Sequence, residues 1–214
     1  MKLIDIATYL IYTATYSIAV PIGIGLYFYA SQSKALRIVL GGLVCVLFLD
    51  IVLLWFLESK YTFLYLFSIV DAVMMTWAYS VAVTHSHAGK LILTAGLITI
   101  PIIASDAFFG AGLTGNGYSN AFEKVVISVV VIYYLTQLFQ DEEATDLRME
   151  PLLWVSVGVL IFNLVALGDV FSAPMLNFSQ SLYLQYYMVL CLATIFLYGC
   201  FSYAFWLSRY NDCP

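Results

Sequence analysis

Apolar residues run through this chain in seven long stretches separated by short polar breaks. The stretches are Ile6–Ala30, Ala35–Leu57, Thr62–Val83, Leu91–Ala111, Ala121–Gln140, Pro151–Ala173 and Leu182–Leu207, and the breaks read SQSK, ESKY, THSHAGK, LTGNGYSN, DEEATDLRME and PMLNFSQ. Each stretch has the roughly 20 residues that a helix needs to cross a bilayer. Runs such as VVISVVVIYYL (125–135) are continuously apolar, whereas the strands of a membrane barrel alternate with a period of two. The pattern therefore predicts an all-α integral membrane bundle of seven transmembrane helices, with short connections that make successive helices antiparallel neighbours. Pro21 and Pro101 interrupt the first and fourth helices, and Pro151 suits the first turn of the sixth. Their positions match no internal repeat.

Composition sharpens this. Of 214 residues, 63% are hydrophobic and 10% charged, and the mean hydropathy is +0.95. An ordinary soluble domain is about 25% charged, so too little charge is present to cover a water-facing surface, and the exterior is expected to face lipid. Residues 1–214 read as a single seven-helix domain with no room for a separate soluble one. The first apolar run follows Lys2, lacks a small-residue cleavage pattern and is too long for a signal peptide, so it is expected to remain as a span. A net charge of −5 with eight Lys and Arg argues against nucleic acid as a partner.

Orientation follows the basic residues. Lys34, Arg37, Lys90, Arg148 and Arg209 gather on one side, and Lys2, Lys60 and Lys124 on the other. Five against three predicts a cytoplasmic (inner) membrane protein with its N-terminus outside and its C-terminus in the cytoplasm.

The acids inside the spans carry the candidate chemistry. A charge at the bilayer centre costs at least about 2.5–3.5 kcal/mol, so Asp50, Asp71, Asp106 and Asp169 should face protein or water. All fall in the outer half or at the midplane, with Glu58 and Glu123 at the outer boundary. Asp50, Leu54 and Glu58 share a helical stripe, as do Ser68 and Asp71; Tyr9, Tyr12 and Tyr16 form another, and Tyr61, Tyr65, Tyr183, Tyr186 and Tyr187 lie at similar depth. Carboxylates beside tyrosine faces suit a small ligand, with an ammonium or other cation among the candidates. The expected ligand-binding residues are Asp50, Asp71, Asp106, Tyr12, Tyr16 and Ser68. Against this stand plainer roles: tyrosines as interfacial anchors, acids bonding across helices, and Lys60 or Lys124 pairing with one of them. Asn163 and Gln137 are expected to bond between helices.

Several functions lack their residues. The last span has no lysine for a retinal Schiff base. His85 and His87 supply two ligands, short of a zinc site, and the four cysteines have no ligand spacing, so no metal or cofactor is expected. There is no H-E-x-x-H, no G-x-S-x-G and no phosphate-binding glycine loop, so no enzyme activity is expected. The inner half offers only Thr76, Ser80, Thr94, Thr136 and Gln137 besides aromatic residues. That asymmetry favours an outward-facing pocket over a path through the membrane.

The segments YTFLYLFSIVDAVMMTWAYSVAV, EPLLWVSVGVLIFNLVALGDVF and YYMVLCLATIFLYGCFSYAFWL resemble a group of small bacterial seven-helix membrane proteins frequent in Bacteroidetes. Asp71 matches an acidic position in their third span, where Glu is usual, and Trp154 with Asn163 matches their sixth. Members are often encoded near sensor kinases, which implies a signalling role and adds no catalytic residue. The sequence thus leads to a receptor- or sensor-like protein that binds a small ligand and signals through a membrane or cytoplasmic partner. A small-solute or cation carrier using the intramembrane carboxylates is the second reading, and a structural subunit of a membrane complex the third.

Overall fold

Every element is a helix, and no strand occurs among the described residues of the computed structural model, which are 3–56, 60–109, 118–140, 147–175 and 180–210. The elements are α1 (Leu3–Ser17), α2 (Ala19–Tyr27), α3 (Lys34–Phe56), α4 (Lys60–Ala82), α5 (Ser86–Phe109), α6 (Tyr118–Gln140), α7 (Pro151–Met175) and α8 (Gln180–Leu207). Among the described residues, six stretches are long and apolar enough to cross a membrane: Ile4–Tyr27, Tyr65–Ala82, Ser86–Phe109, Tyr118–Gln140, Pro151–Gly168 and Leu184–Tyr210. The first joins α1 to α2. α3 is not among them; its side chains beyond Ile51 lie outside the described residues.

The chain divides into two compact units. One holds α1, α2, α7 and α8, with α8 packed on the other three. The second holds α3 to α6, with α4 packed on each of the others and α5 on α6. In both, the usual soluble pattern is inverted: outward faces carry large apolar side chains such as Leu91, Val129 and Leu164 (72%, 61% and 74% exposed). Such faces are at home in hydrocarbon.

The inward faces are set by small residues. The buried stripe of α5 is Gly89, Ile92, Gly96, Thr99 and Ile103, in alternating steps of three and four. A Cβ placed on Gly96 would lie 2.0 Å from the Thr76 Oγ1 of α4, and one on Gly89 would lie 2.6 Å from the Ser80 carbonyl. Only hydrogen fits there, and the close approach lets two helix backbones gain the van der Waals contact that drives association in lipid. In the other unit Gly158 receives Cys200 and Leu197 in the same way.

Helix ends shift by a few residues from the sequence expectation, and three features stand out. The first span is broken at Ile18, so that Pro21 sits in the first turn of α2, where its missing N–H has no intrahelical partner to lose. The Ile22 amide still reaches the Ile18 carbonyl, at 3.4 Å. Pro101, in contrast, lies inside a continuous α5, on its exposed side. Finally, α5 starts at Ser86 rather than Leu91: Gly89 bonds back to the His85 carbonyl at 3.0 Å and packs on α4, which draws the end of the expected loop into the helix. Pro151 does open α7, behind Glu150, whose carboxylate accepts the Leu152 amide (3.4 Å) as an N-terminal cap.

Gly96→Ala should therefore overpack the α4–α5 contact and cost about 1–3 kcal/mol. Thermal unfolding in detergent should show Thr76→Ala, combined with it, recovering part of the loss; full independence of the two substitutions would refute the contact.

Candidate functional site

The charged centre of the second unit lies where α4 meets the first turns of α6. Lys124 Nζ donates to Asp71 Oδ2 and to Glu123 Oε1, each at 2.9 Å. Glu123 is fully buried, Lys124 is 4% exposed, and Asp71 keeps a fifth of its side chain accessible. The ammonium also lies 5.9 Å from the centre of the Phe67 ring, at the outer limit of cation–π attraction. Glu123 Oε2 is buried with no hydrogen-bond partner.

Helical phase explains why these residues meet. The buried face of α6 begins with Ser119 and Glu123 and continues with Ile127, Val130 and Tyr134, at steps of three and four. Its first two turns are thus polar and the rest apolar, with Tyr134 closing against the Tyr79 ring of α4 (5.4 Å). On α4, Tyr65, Ser68 and Ala72 share the buried face, and Asp71 stands at its edge.

One turn nearer the start of α6, Asp106 from the end of α5 accepts the Ser119 amide (3.2 Å) and hydroxyl (2.6 Å) through Oδ2. The carboxylate caps the N-terminus of a neighbouring helix, satisfying an amide that has no partner in its own helix and meeting the positive end of the helix dipole. Beside it lies an open cleft of about 450 Å³ lined by Ile102, Ser105, Asp106, Phe109, Tyr118, Ser119 and Phe122.

The expected site residues thus fall into distinct places. Asp71 enters an ion pair, Asp106 a helix cap, and Ser68 is buried on α4 one turn from Asp71. Asp50 is half-buried on α3, with no hydrogen-bond or ion-pair partner among the described residues. Tyr12 and Tyr16 belong to the other unit, where they are exposed (58% and 71%) and stacked on each other at 6.4 Å. Tyr65 is buried, and Tyr186 donates to the Val165 carbonyl (2.6 Å) across α7 and α8, in the space left by Gly168. Glu58 and the side chains of Tyr61, Asp169 and Tyr183 lie outside the described residues. Asn163 is buried in α7. Gln137 bonds within α6, donating to Tyr133 Oη at 2.9 Å, because that ring lies one turn back.

Lys124, counted among the boundary charges but also weighed as a partner for an intramembrane acid, pairs with Asp71, whereas Glu123 is a core residue that the sequence reading left at the span boundary. The available signal was phase: Glu123 lies one turn after Ser119 and one before Ile127, on the stripe that must be buried if α6 packs by the residues that follow. Further in, polarity closes on itself. Thr76, Ser80, Thr94 and Thr136 each donate to a carbonyl of their own helix, at 2.6, 2.7, 2.8 and 2.8 Å. Hydroxyls bonded in this way present little polarity to a solute. His85 and His87 are exposed, and no group of three or more His, Cys, Asp or Glu among the described residues is placed to hold a metal.

The other unit carries its charge at a rim. Arg209 lies 3.8 Å over the Trp206 ring and bonds to Tyr210 Oη; Trp206 stacks on Tyr203, whose ring meets Trp154 edge-on at 4.9 Å. Trp154 in turn donates to the Arg148 carbonyl (3.0 Å). Aromatic rings with arginine at helix ends are the usual furnishing of a membrane–water boundary. No known protein family, curated protein or solved structure matches the chain.

Lys124→Met leaves two carboxylates without their counter-charge and should lower stability by about 3–5 kcal/mol. Adding Asp71→Asn should recover part of that in denaturant titrations, and an additive second loss would show that the three groups do not act as a unit. Asp106→Ala removes the cap on α6 and should cost about 1 kcal/mol, whereas Asp106→Asn, which keeps an acceptor oxygen, should cost less.

Proposed function

We propose that this is a seven-span, non-enzymatic membrane protein of receptor or sensor type, which takes a small organic cation at the acidic, aromatic end of the α4–α6 unit. α3 is counted as the seventh span, its Lys34 and Arg37 at one end and Asp50 in its second half. The observation that carries the reading is one-sided polarity. The cleft at the α5–α6 end offers the Asp106 carboxylate with Phe109, Tyr118 and Phe122, and the Lys124 cluster begins one helical turn further in. An ammonium is attracted by both a carboxylate and ring faces. Beyond the cluster the α6 face is Ile127, Val130 and Tyr134, which supports reception at one side over carriage across. Asp50, Asp71 and Ser68, in the same unit, remain part of the proposal as residues whose substitution tests it.

The direction of insertion belongs to the same proposal. Lys124 is engaged in a buried pair and leaves the count of boundary charges, so that Lys34, Arg37, Lys90, Arg148 and Arg209, all exposed, stand against Lys2 and Lys60. Five against two favours an outside N-terminus and a cytoplasmic C-terminus in the inner membrane. A partner at the cytoplasmic connections would read the signal, as the resemblance to proteins encoded beside sensor kinases implies.

With tetramethylammonium as the probe, the purified protein should melt at a higher temperature. The shift should vanish in Asp106→Asn, which keeps the cap but removes the charge, and shrink in Asp71→Asn and Tyr118→Ala. An equal shift in Asp106→Asn would rule out this site.

A further inference from the structure

Three charged groups meet in the α4–α6 core, and their formal charges do not cancel: one ammonium stands against two carboxylates. Two further observations bear on what completes the set. Glu123 Oε2 is buried without a donor to bond it. Asp71 and Glu123 also take the same ammonium at 2.9 Å each, which brings the two carboxylates close; two ionised carboxylates are both acceptors and repel each other, and they can share a hydrogen bond only when one of them carries hydrogen.

We infer that the Lys124–Asp71–Glu123 cluster is a proton-binding site, in which one exchangeable proton is held between the Glu123 and Asp71 carboxyls and completes the neutrality of the buried set. The proton is transferred from hydronium: one of its O–H bonds breaks as an O–H bond to a carboxylate oxygen forms, water is left behind, and no change of oxidation state occurs. Neutrality is what an apolar, lipid-embedded surrounding demands of a buried cluster. Asp71, which keeps a fifth of its surface, is the side from which the proton is exchanged.

Among the described residues, the printed ion pairs of the cluster involve these three groups. On α6 itself Lys124 bonds Glu123, and from α4 Asp71 accepts from the same ammonium. α5, the other helix packed on α6, brings Asp106, which is turned to Ser119 one turn nearer the helix start. Two tyrosines, Tyr79 of α4 and Tyr134 of α6, pair with each other further along the same interface. The inference names what the cluster binds and stands on the cluster's own geometry, so it does not depend on the cleft receiving an organic cation.

Infrared difference spectra of the full chain in lipid vesicles, recorded between acid and alkaline buffer in H2O and in D2O, test it. The unaltered protein should show one carbonyl band of a protonated carboxyl that shifts in D2O. Glu123→Gln and Asp71→Asn should each abolish it, since one carboxylate and one ammonium are already neutral. Lys124→Gln should raise it about twofold, because two carboxyls then each need a proton. The two carboxamide variants keep the inference testable if Lys124→Gln fails to fold. A band that persists in both of them, the absence of any band at every pH where the protein stays folded, or a band removed by sodium at constant pH would overturn the proposal. Loss of the tetramethylammonium shift with the band intact would instead count against the cleft alone.

Discussion

In hydrocarbon no solvent molecule bonds a stray amide or shields a stray charge, and the structure is organised around that constraint. Backbone groups are satisfied inside helices, and hydroxyls such as those of Thr76 and Thr99 turn back onto carbonyls of their own helix. Where a helix end leaves an amide open at the buried interface, a side chain from the next helix closes it, as Asp106 does for Ser119. Where charge enters the core it does so as a set, Lys124 with Asp71 and Glu123. The same constraint explains the outward Leu, Val and Ile of every helix.

Because burying apolar surface contributes little between helices already in lipid, contact is made by closeness. Gly89 and Gly96 on α5, and Gly158 on α7, let neighbouring side chains and backbone come where any Cβ would stand in the way. The close α4–α5 contact matters for the charged centre as well. α4 presents Asp71 to α6, while α5 brings Asp106 to the start of that same helix. Packing by small residues and placement of charge are thus one arrangement.

The distribution of polarity separates the ends of this unit. One end has a carboxylate, a cleft with aromatic walls and a three-charge cluster; beyond it the α6 interface is aliphatic and closed by Tyr79 and Tyr134. In the other unit the rim around Arg209, Trp206 and Tyr203 holds a cation among rings at helix ends. Such a rim fixes depth in the membrane, whereas the buried cluster is where a change of charge would be felt by two helices at once.

Helix content, the approximate place of each helix and the membrane setting were legible in the order of residues, because length and uninterrupted apolarity are local properties. So were the possibility that Lys124 pairs with an intramembrane acid and the fit of Pro151 at a helix start. The break at Ile18 was half legible: Pro21 marked the place, but not that the proline would sit in the first turn of a second helix. Asp50, Asp71, Asp106, Tyr12 and Tyr16 could be read as one acidic, aromatic group, since depth is countable along a helix; which of them meet is not, because that depends on the rotation of each helix about its axis. Tertiary structure decided that Asp106 caps α6, that Gly96 receives Thr76, and that Glu123 and Lys124, the sixth and seventh residues of α6, are core residues rather than boundary ones. Sequence set how deep each charge lies, and only the packing of α4 and α5 against α6 chose its partner.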